Sequence, residues 1–169
     1  MYLKELNLDD AIKEYEFLQE LPSENGFENP YFNISFECFL NNIPKRINYA
    51  KGINLEIGHV PDTYFFLWDN ERIVGLFKVR HYLNDFLKKG AGHIGYAIHP
   101  KFRNRGYASK GLGLAIKKLI KMNDFKEDEV YLSCDKNNVS SLKVMLNNNG
   151  YIINEDEKEY YVRIKVDKE

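Results

Sequence analysis

Short apolar runs separated by polar turns dominate the second half of the chain. Runs of this kind, rich in aromatic and β-branched residues, predict strands. The predicted strands lie at residues 63–68, 73–82, 94–98, 130–134, 151–153 and 160–166. The 73–82 run is apolar on both faces over its first half, which predicts a central strand. The 160–166 run alternates apolar and polar positions, which predicts a strand with one exposed face.

Apolar residues at helical spacing predict four helices before and between these strands. The predicted helix starts follow Asp9 or Asp10, follow Asn33 or Ser35, lie at Ala108 and follow Asn138. Asp, Asn and Ser are preferred caps at such starts. Residues 2–6 predict a first strand, and residues 83–90 and 123–128 are predicted to be connections. The resulting order, βααβββαβαββ, indicates a mixed α/β fold with helices on the faces of a sheet.

Composition adds bounds on size and partners. The chain has 169 residues, 44% hydrophobic and 29% charged, which fits one domain over residues 1–169. A net charge of -1 gives no reason to expect broad binding to nucleic acid or to a membrane. Residues 1–5 lack the pattern of a signal peptide, so we expect a cytoplasmic protein. Cys38 and Cys134 have no metal-ligand spacing, so we expect both thiols reduced and no bound metal.

The turn between the 94–98 strand and the helix from Ala108 carries the first candidate site. Unpaired backbone amides and the positive end of the helix dipole converge at a helix start, which suits a phosphate group. Gly106 allows the backbone to approach an anion closely. Arg103 and Arg105 add positive charge. The segment therefore predicts an anion-binding site.

Two motifs in this order resemble those of the GNAT superfamily of acyl-CoA-dependent N-acyltransferases. Arg103-x-x-Gly106-x-Ala108 is similar to the family signature Arg/Gln-x-x-Gly-x-Gly/Ala. Asn138-x-x-Ser141, followed by the Gly-Tyr pair at 150–151, is similar to a second family pattern. The strings RHYLND at 80–85 and GHIGY at 92–96 look like one bacterial subfamily. The resemblance covers residues 63–166 well and the first 62 residues in outline, and it implies a largely antiparallel GNAT-like sheet.

The resemblance implies that the chain binds acetyl-CoA or coenzyme A as a cosubstrate. The family loop cradles the pyrophosphate, which places it at Arg103, Asn104, Arg105, Gly106, Tyr107, Ala108 and Ser109. The pantetheine arm would lie along Ala97, Ile98 and His99, with Asn138 and Ser141 as further contacts. Gly95 within the strand indicates a β-bulge, a close backbone approach or a glycine packed under an aromatic ring, and the resemblance implies the bulge. In the family, this strand also separates from the next one.

The implied reaction is transfer of an acetyl group from acetyl-CoA to a primary amine. An amine must lose a proton before it attacks, and His93 and His81 are the candidate catalytic bases. Each histidine has an equally simple interpretation as a structural residue. Many family members supply a tyrosine acid where this chain has Leu146. Cys134, Ser141, Tyr107 or water could provide that proton instead.

Two other classes of function compete with an enzyme. A GNAT fold that senses coenzyme A or an acyl-CoA without turnover needs the same loop. A nucleotide-binding protein could use the loop for another phosphate, but the sequence lacks the Gly-Lys-Ser/Thr of a P-loop and an acidic metal cluster. The expected partner is an amine on a small molecule or on a peptide or protein, and a homodimer is the oligomeric state considered. The sequence leaves open whether the acyl group is acetyl or longer.

Overall fold

Two antiparallel sheets carry the strands. The first sheet has the order β1-β2-β3-β4 and the second has the order β5-β7-β6. The computed structural model describes residues 1–166, so the last three residues of the predicted 1–169 domain lie outside the described residues. The elements are β1 (Tyr2–Glu5), α1 (Ala11–Glu20), α2 (Phe36–Ala50), β2 (Asp62–Asp69), β3 (Arg72–Arg80), α3 (Asp85–Lys89), β4 (Ile94–Ile98), α4 (Tyr107–Leu119), β5 (Glu129–Asp135), α5 (Val139–Leu146), β6 (Tyr151–Glu155) and β7 (Glu159–Lys165).

The predicted α/β class and largely antiparallel pairing are confirmed, with one addition to the element order. Helix α3 lies inside the segment 83–90, which the sequence pattern predicted to be a connection. The Asn84 side chain accepts a hydrogen bond from the Leu87 amide at 2.9 Å, so a cap starts the helix. Lys88 and Lys89 in the last turn suit the helix dipole. Five residues are too few for apolar periodicity to reveal such a helix.

The first sheet is covered on both faces. Helix α4 packs on one face against a cluster that includes Phe65 and Phe77. Helices α1 and α2 cover the other face, where Phe39 and Phe66 are fully buried. Strand β3 is central, as predicted, because it pairs with β2 on one side and β4 on the other.

A glycine lets α4 approach the sheet closely. A Cβ atom at Gly111 would lie 2.3 Å from Cζ of Phe77. Glycine in a helix costs about 1 kcal/mol relative to alanine, so this position exchanges helix stability for close packing. The contact holds the start of α4 against the central strand.

Strands β4 and β5 are neighbouring edges that meet at one end and separate along the rest of their length. The His93 amide donates to the Tyr131 carbonyl at 2.7 Å, and the His93 Nδ1 accepts from the Tyr131 amide at 2.9 Å. These bonds flank an isolated bridge between Gly92 and Leu132, and within residues 1–166 no other bridge joins β4 to β5. The pairing of β3 with β4 is regular through Gly95, so the predicted bulge is absent. The separation therefore arises between the sheets and not from a bulge.

Candidate functional site

Two adjoining cavities open where β4 and β5 separate. We call the larger one, about 550 Å³, the loop cavity because the turn between residues 102 and 109 lines it. The smaller one, about 330 Å³, is called the sheet cavity because it is lined by β3, β4 and β5. The cavities share the wall residues Asn25, Phe27, Tyr96, Asn138 and Ser141. A ligand that fills both would pass this shared wall.

Backbone groups form the floor of the loop cavity. Gly106 has φ of 78° and immediately precedes α4, and no atom lies within 4 Å of the position its Cβ would take. The first hydrogen bond of the helix runs from the Lys110 amide to the Gly106 carbonyl at 3.1 Å. The amides of Tyr107, Ala108 and Ser109 precede that bond and have no intrahelical acceptor. This geometry suits an anion, as the sequence predicted.

The sequence suggested that Arg103 and Arg105 both add positive charge to the anion-binding site, and the structure shows a different arrangement for each. Arg103 donates from Nε to the Ile98 carbonyl at 3.1 Å and forms an ion pair with Glu24. Its guanidinium therefore joins the end of β4 to the α1–α2 loop, although the side chain still lines the loop cavity. The Arg105 side chain is exposed and lines neither cavity. The positive groups of the loop cavity are therefore the amides of the helix start together with the Arg103 and Lys143 side chains.

The predicted cofactor-binding residues gather around the loop cavity, with two exceptions. Those that line it are Ala97, Ile98, Arg103, Asn104, Gly106, Tyr107, Ala108, Ser109, Asn138 and Ser141. The exceptions are Arg105 and His99. The His99 ring is buried, and its Nε2 lies 3.0 Å from Oε2 of Glu20 at the end of α1. That the lining residues bind a cofactor stays a prediction.

Helix α5 begins at the shared wall. The Asn138 side chain accepts a hydrogen bond from the Ser141 amide at 3.1 Å, which is an N-cap. The Ser141 hydroxyl lies 2.8 Å from the Tyr96 hydroxyl. The cap thus places one amide side chain and one hydroxyl between the two cavities.

Tyr96 lies at the shared wall and, like Asn25 and Phe27, was not singled out by sequence reasoning. Its ring stacks on Phe77 with a centroid distance of 5.5 Å, and its hydroxyl also lies 3.3 Å from the Ser141 carbonyl. Burial raises the pKa of Tyr96, so the hydroxyl keeps its proton near neutral pH. Burial likewise raises the pKa of the Cys134 thiol, at the wall of the sheet cavity, to about 11. Both groups are proton donors and neither is a base.

The sheet cavity has walls of opposite charge. Lys78 and Arg80 on β3 line one side. Asp135 on β5 and Glu159 on β7 are cross-strand partners and line the other side. Gly95 stands opposite Lys78 in the β3–β4 register, and nothing lies within 4 Å of the position its Cβ would take. The feature of the sequence that could have indicated this cavity was a lysine and an arginine within an otherwise apolar strand.

Neither predicted base lines a cavity. The His93 side chain is 0% exposed, its ring lies against Phe125 and Tyr131, and burial lowers its pKa. The Nε2 of His81 lies 2.8 Å from the Thr63 hydroxyl, and burial lowers its pKa as well. The apolar residues next to each histidine in the sequence did not indicate which distant elements would cover its ring. The geometry therefore gives His93 a structural contact and does not support either histidine as the base.

None of the helices within residues 1–166 combines the length and apolarity needed to cross a bilayer. Across the same residues, no group of three or more His, Cys, Asp and Glu side chains is arranged to hold a metal ion.

Comparison with known proteins gives a family match and several similar folds. The model of the Acetyltransferase (GNAT) family matches residues 28–151. No curated protein matches the chain significantly. Ribosomal-protein-S5-alanine acetyltransferase from Vibrio fischeri is 16% identical, with a TM-score of 0.72 over 96% of this chain and 91% of its own.

Two further similar structures contain acetyl coenzyme A. The N-acetyltransferase PseH from Campylobacter jejuni is 19% identical, with a TM-score of 0.60 over 96% of each chain. The microcin C7 self-immunity acetyltransferase MccE, in complex with acetyl-CoA and AMP, is 13% identical, with a TM-score of 0.67 over 97% of this chain and 91% of its own. At these identities the structural similarity establishes the fold.

Proposed function

Because the chain belongs to the Acetyltransferase (GNAT) family, we propose that it transfers the acetyl group of acetyl-CoA to the nitrogen of a primary amine by direct attack. The observation that carries the proposal is the meeting of two cavities at Tyr96, Asn138 and Ser141. One cavity has the free amides of a helix start, and the other has charged walls. Two substrates can therefore meet without a covalent enzyme intermediate.

The loop cavity fits coenzyme A on the features of its own residues. The amides at the start of α4 and the open space at Gly106 suit a diphosphate. On the free edge of β4, which faces β5, the backbone groups of Tyr96 and the amide of Ile98 can form hydrogen bonds with the amides of the pantetheine arm, whereas the Ala97 backbone faces β3. When bound, acetyl-CoA supplies the acetyl group as an activated thioester. Asn138 would both cap α5 and contact the arm.

Transfer forms a nitrogen–carbon bond and breaks the carbon–sulfur bond of the thioester. The amine releases one proton, and the leaving sulfur takes up one. We assign the second proton to Tyr96, because its hydroxyl lies at the shared wall, 2.8 Å from the Ser141 hydroxyl. This places a tyrosine acid on β4, whereas many family members have one at the position of Leu146.

We assign the first proton to the Asp135 and Glu159 wall, directly or through water. The Ser133 hydroxyl donates to Oε1 of Glu159 at 3.1 Å, which orients that carboxylate at the cavity. An ammonium group entering the sheet cavity would meet these two carboxylates. They would stabilise the ammonium form, accept one proton from it before attack and pass that proton to solvent. The neutral amine then attacks and gives its second proton to the same wall as the nitrogen–carbon bond forms.

A second candidate is a module that binds coenzyme A without turnover. Leu146 in place of the usual tyrosine and the position of both histidines outside the cavities favour it. The test is a titration of the purified chain with acetyl-CoA, followed by measurement of free thiol release with a panel of amines. Binding with amine-dependent thiol release supports the enzyme. Binding without release from any amine supports the module, and no binding contradicts both.

A further inference from the structure

The β3 wall of the sheet cavity holds more positive charge than its neighbours balance. Asp62 is 4% exposed, forms an ion pair with Arg46 and lies 3.4 Å from Nζ of Lys78. Arg80 donates to the Gly92 carbonyl at 3.0 Å and forms no ion pair within residues 1–166. Arg46, Lys78 and Arg80 therefore share the single carboxylate of Asp62.

Removing water from these cations is unfavourable unless an anion replaces it. Burial lowers the pKa of both Lys78 and Arg80, and Asp62 is the nearby carboxylate that opposes the shift in each case. Both side chains nevertheless line an open cavity and are not sealed in the core. This arrangement is typical of a site completed by an anionic ligand.

The open space at Gly95 indicates where that anionic ligand would lie. Gly95 stands opposite Lys78 and leaves space where another residue would project a side chain. Beyond it, the Asp135 and Glu159 wall has the opposite charge. We propose that the acceptor is an amine that also carries an anionic group, a carboxylate or a phosphate, which pairs with Lys78 and Arg80 while its amine faces Asp135 and Glu159.

The size of the sheet cavity narrows the class further. Ligand cavities range from roughly 300 to 1,000 Å³, and this one, at about 330 Å³, is near the lower limit. It accommodates a small molecule or the terminal residue of a peptide. The inference rests on the proposed function, since an acceptor exists only if the chain transfers an acyl group.

The experiment compares amines that differ only by the anion. The probes are phosphoethanolamine with ethanolamine, 3-aminopropanoate with ethylamine, and phenylalanine with phenethylamine. Thermal stability is measured with coenzyme A present, and free thiol release is measured with acetyl-CoA. In at least one pair, we expect a larger stabilisation by the anionic member and at least ~10-fold faster release from it. The phosphate and carboxylate pairs distinguish the two anions.

Charge-removing variants connect this preference to the wall. Lys78→Met and the milder Lys78→Gln and Arg80→Gln should each remove most of the preference in any variant that folds, with acetyl-CoA affinity unchanged. Lys45→Met, at an exposed position on α2, is the matched control and should retain it. Equal responses to both members of every pair, including no response to either, would overturn the inference. Failure of the proposed function is distinguishable, because acetyl-CoA itself would then fail to bind or to release thiol with any amine.

Discussion

The loop cavity and the sheet cavity share a wall but are built in different ways. The anion site of the first is formed by backbone groups of one continuous segment, residues 102–109, although side chains of other segments complete the cavity. The charged walls of the second are formed by side chains from β3, β5 and β7, which are separated by tens of residues in sequence. Binding in the loop cavity should therefore depend on backbone conformation, and binding in the sheet cavity on the identity of single side chains.

The largest expected effect tests the backbone half of this comparison. Gly106→Asp places a negative charge at the helix start, where the space for a Cβ is empty and φ is 78°. We expect acetyl-CoA affinity to fall by at least ~100-fold, about 2.7 kcal/mol, in a chain that still folds. Isothermal titration measures the affinity, and circular dichroism checks the fold.

Gly106→Asn is the matched control for this change. Asparagine tolerates positive φ better than most residues and adds a similar volume without charge. It should retain most of the affinity. Equal losses for the two variants would mean that the side chain blocks the site sterically and that charge plays little part.

The next effect tests the shared wall. Tyr96→Phe removes the hydroxyl bonded to Ser141 but keeps the ring that stacks on Phe77. If the hydroxyl protonates the leaving sulfur, turnover should fall by ~10²-fold with acetyl-CoA affinity within ~3-fold of the unmodified chain. Steady-state kinetics and direct binding separate the two quantities. Full turnover in the variant would reassign the proton to water.

A smaller effect distinguishes two roles of Asn138, as the cap of α5 and as a contact of the cofactor. Asn138→Asp keeps an oxygen that can accept from the Ser141 amide but adds a charge near the anionic cofactor. We expect ~10-fold weaker acetyl-CoA binding with nearly unchanged thermal stability. Asn138→Ala should instead lose about 1 kcal/mol of stability. Normal binding by the aspartate variant would make Asn138 a cap alone.

The smallest effect on turnover concerns the closed end between β4 and β5. Burial lowers the pKa of His93 to about 4, so the unfolded chain takes up a proton first as pH falls below ~6.5. The contribution of neutral His93 to stability is therefore present above that pH and is lost on acidification. Between pH 7.5 and pH 5, we expect the free energy of unfolding to fall by roughly 2 kcal/mol more in the native chain than in His93→Asn.

Asparagine at position 93 can still accept the Tyr131 amide, so the variant isolates the titration from the contact. Denaturant unfolding at each pH measures the free energy. Turnover of His93→Asn should stay within ~3-fold of the native chain. A loss of turnover of ~10²-fold or more in a stable variant would restore His93 as the base.

Local patterns predicted the fold and the loop cavity because both depend on neighbours in sequence. Strand periodicity gave the order of elements, and the segment around Gly106 gave a helix start with free amides. Most of the cofactor residues that the family resemblance implied also line this cavity, including Asn138 and Ser141, which local pattern alone would not bring to it. Helix α3 was missed because a cap and five residues leave too little periodicity.

The sheet cavity and the role of His93 could not be predicted because both depend on distant pairing. Lys78 faces open space only because β4 brings Gly95 opposite it, and the carboxylate wall belongs to the other sheet. His93 is covered by Phe125 and Tyr131, which follow it by more than thirty residues. The residue pattern of a single sequence shows neither the register nor which side chains meet where the sheets separate, although the family resemblance implied the separation itself.

Because β4 and β5 are joined at one end, the lifetime of the folded protein depends on the ligand that is held between them. Within residues 1–166 the two strands are bridged at one end, near Gly92 and His93, and a ligand held between them contacts groups brought together only by folding. Such a ligand binds the folded chain and not the unfolded one, so it adds about 2.7 kcal/mol to the free energy of unfolding at 100 times its dissociation constant. Resistance to proteases then rises and falls with the supply of that ligand.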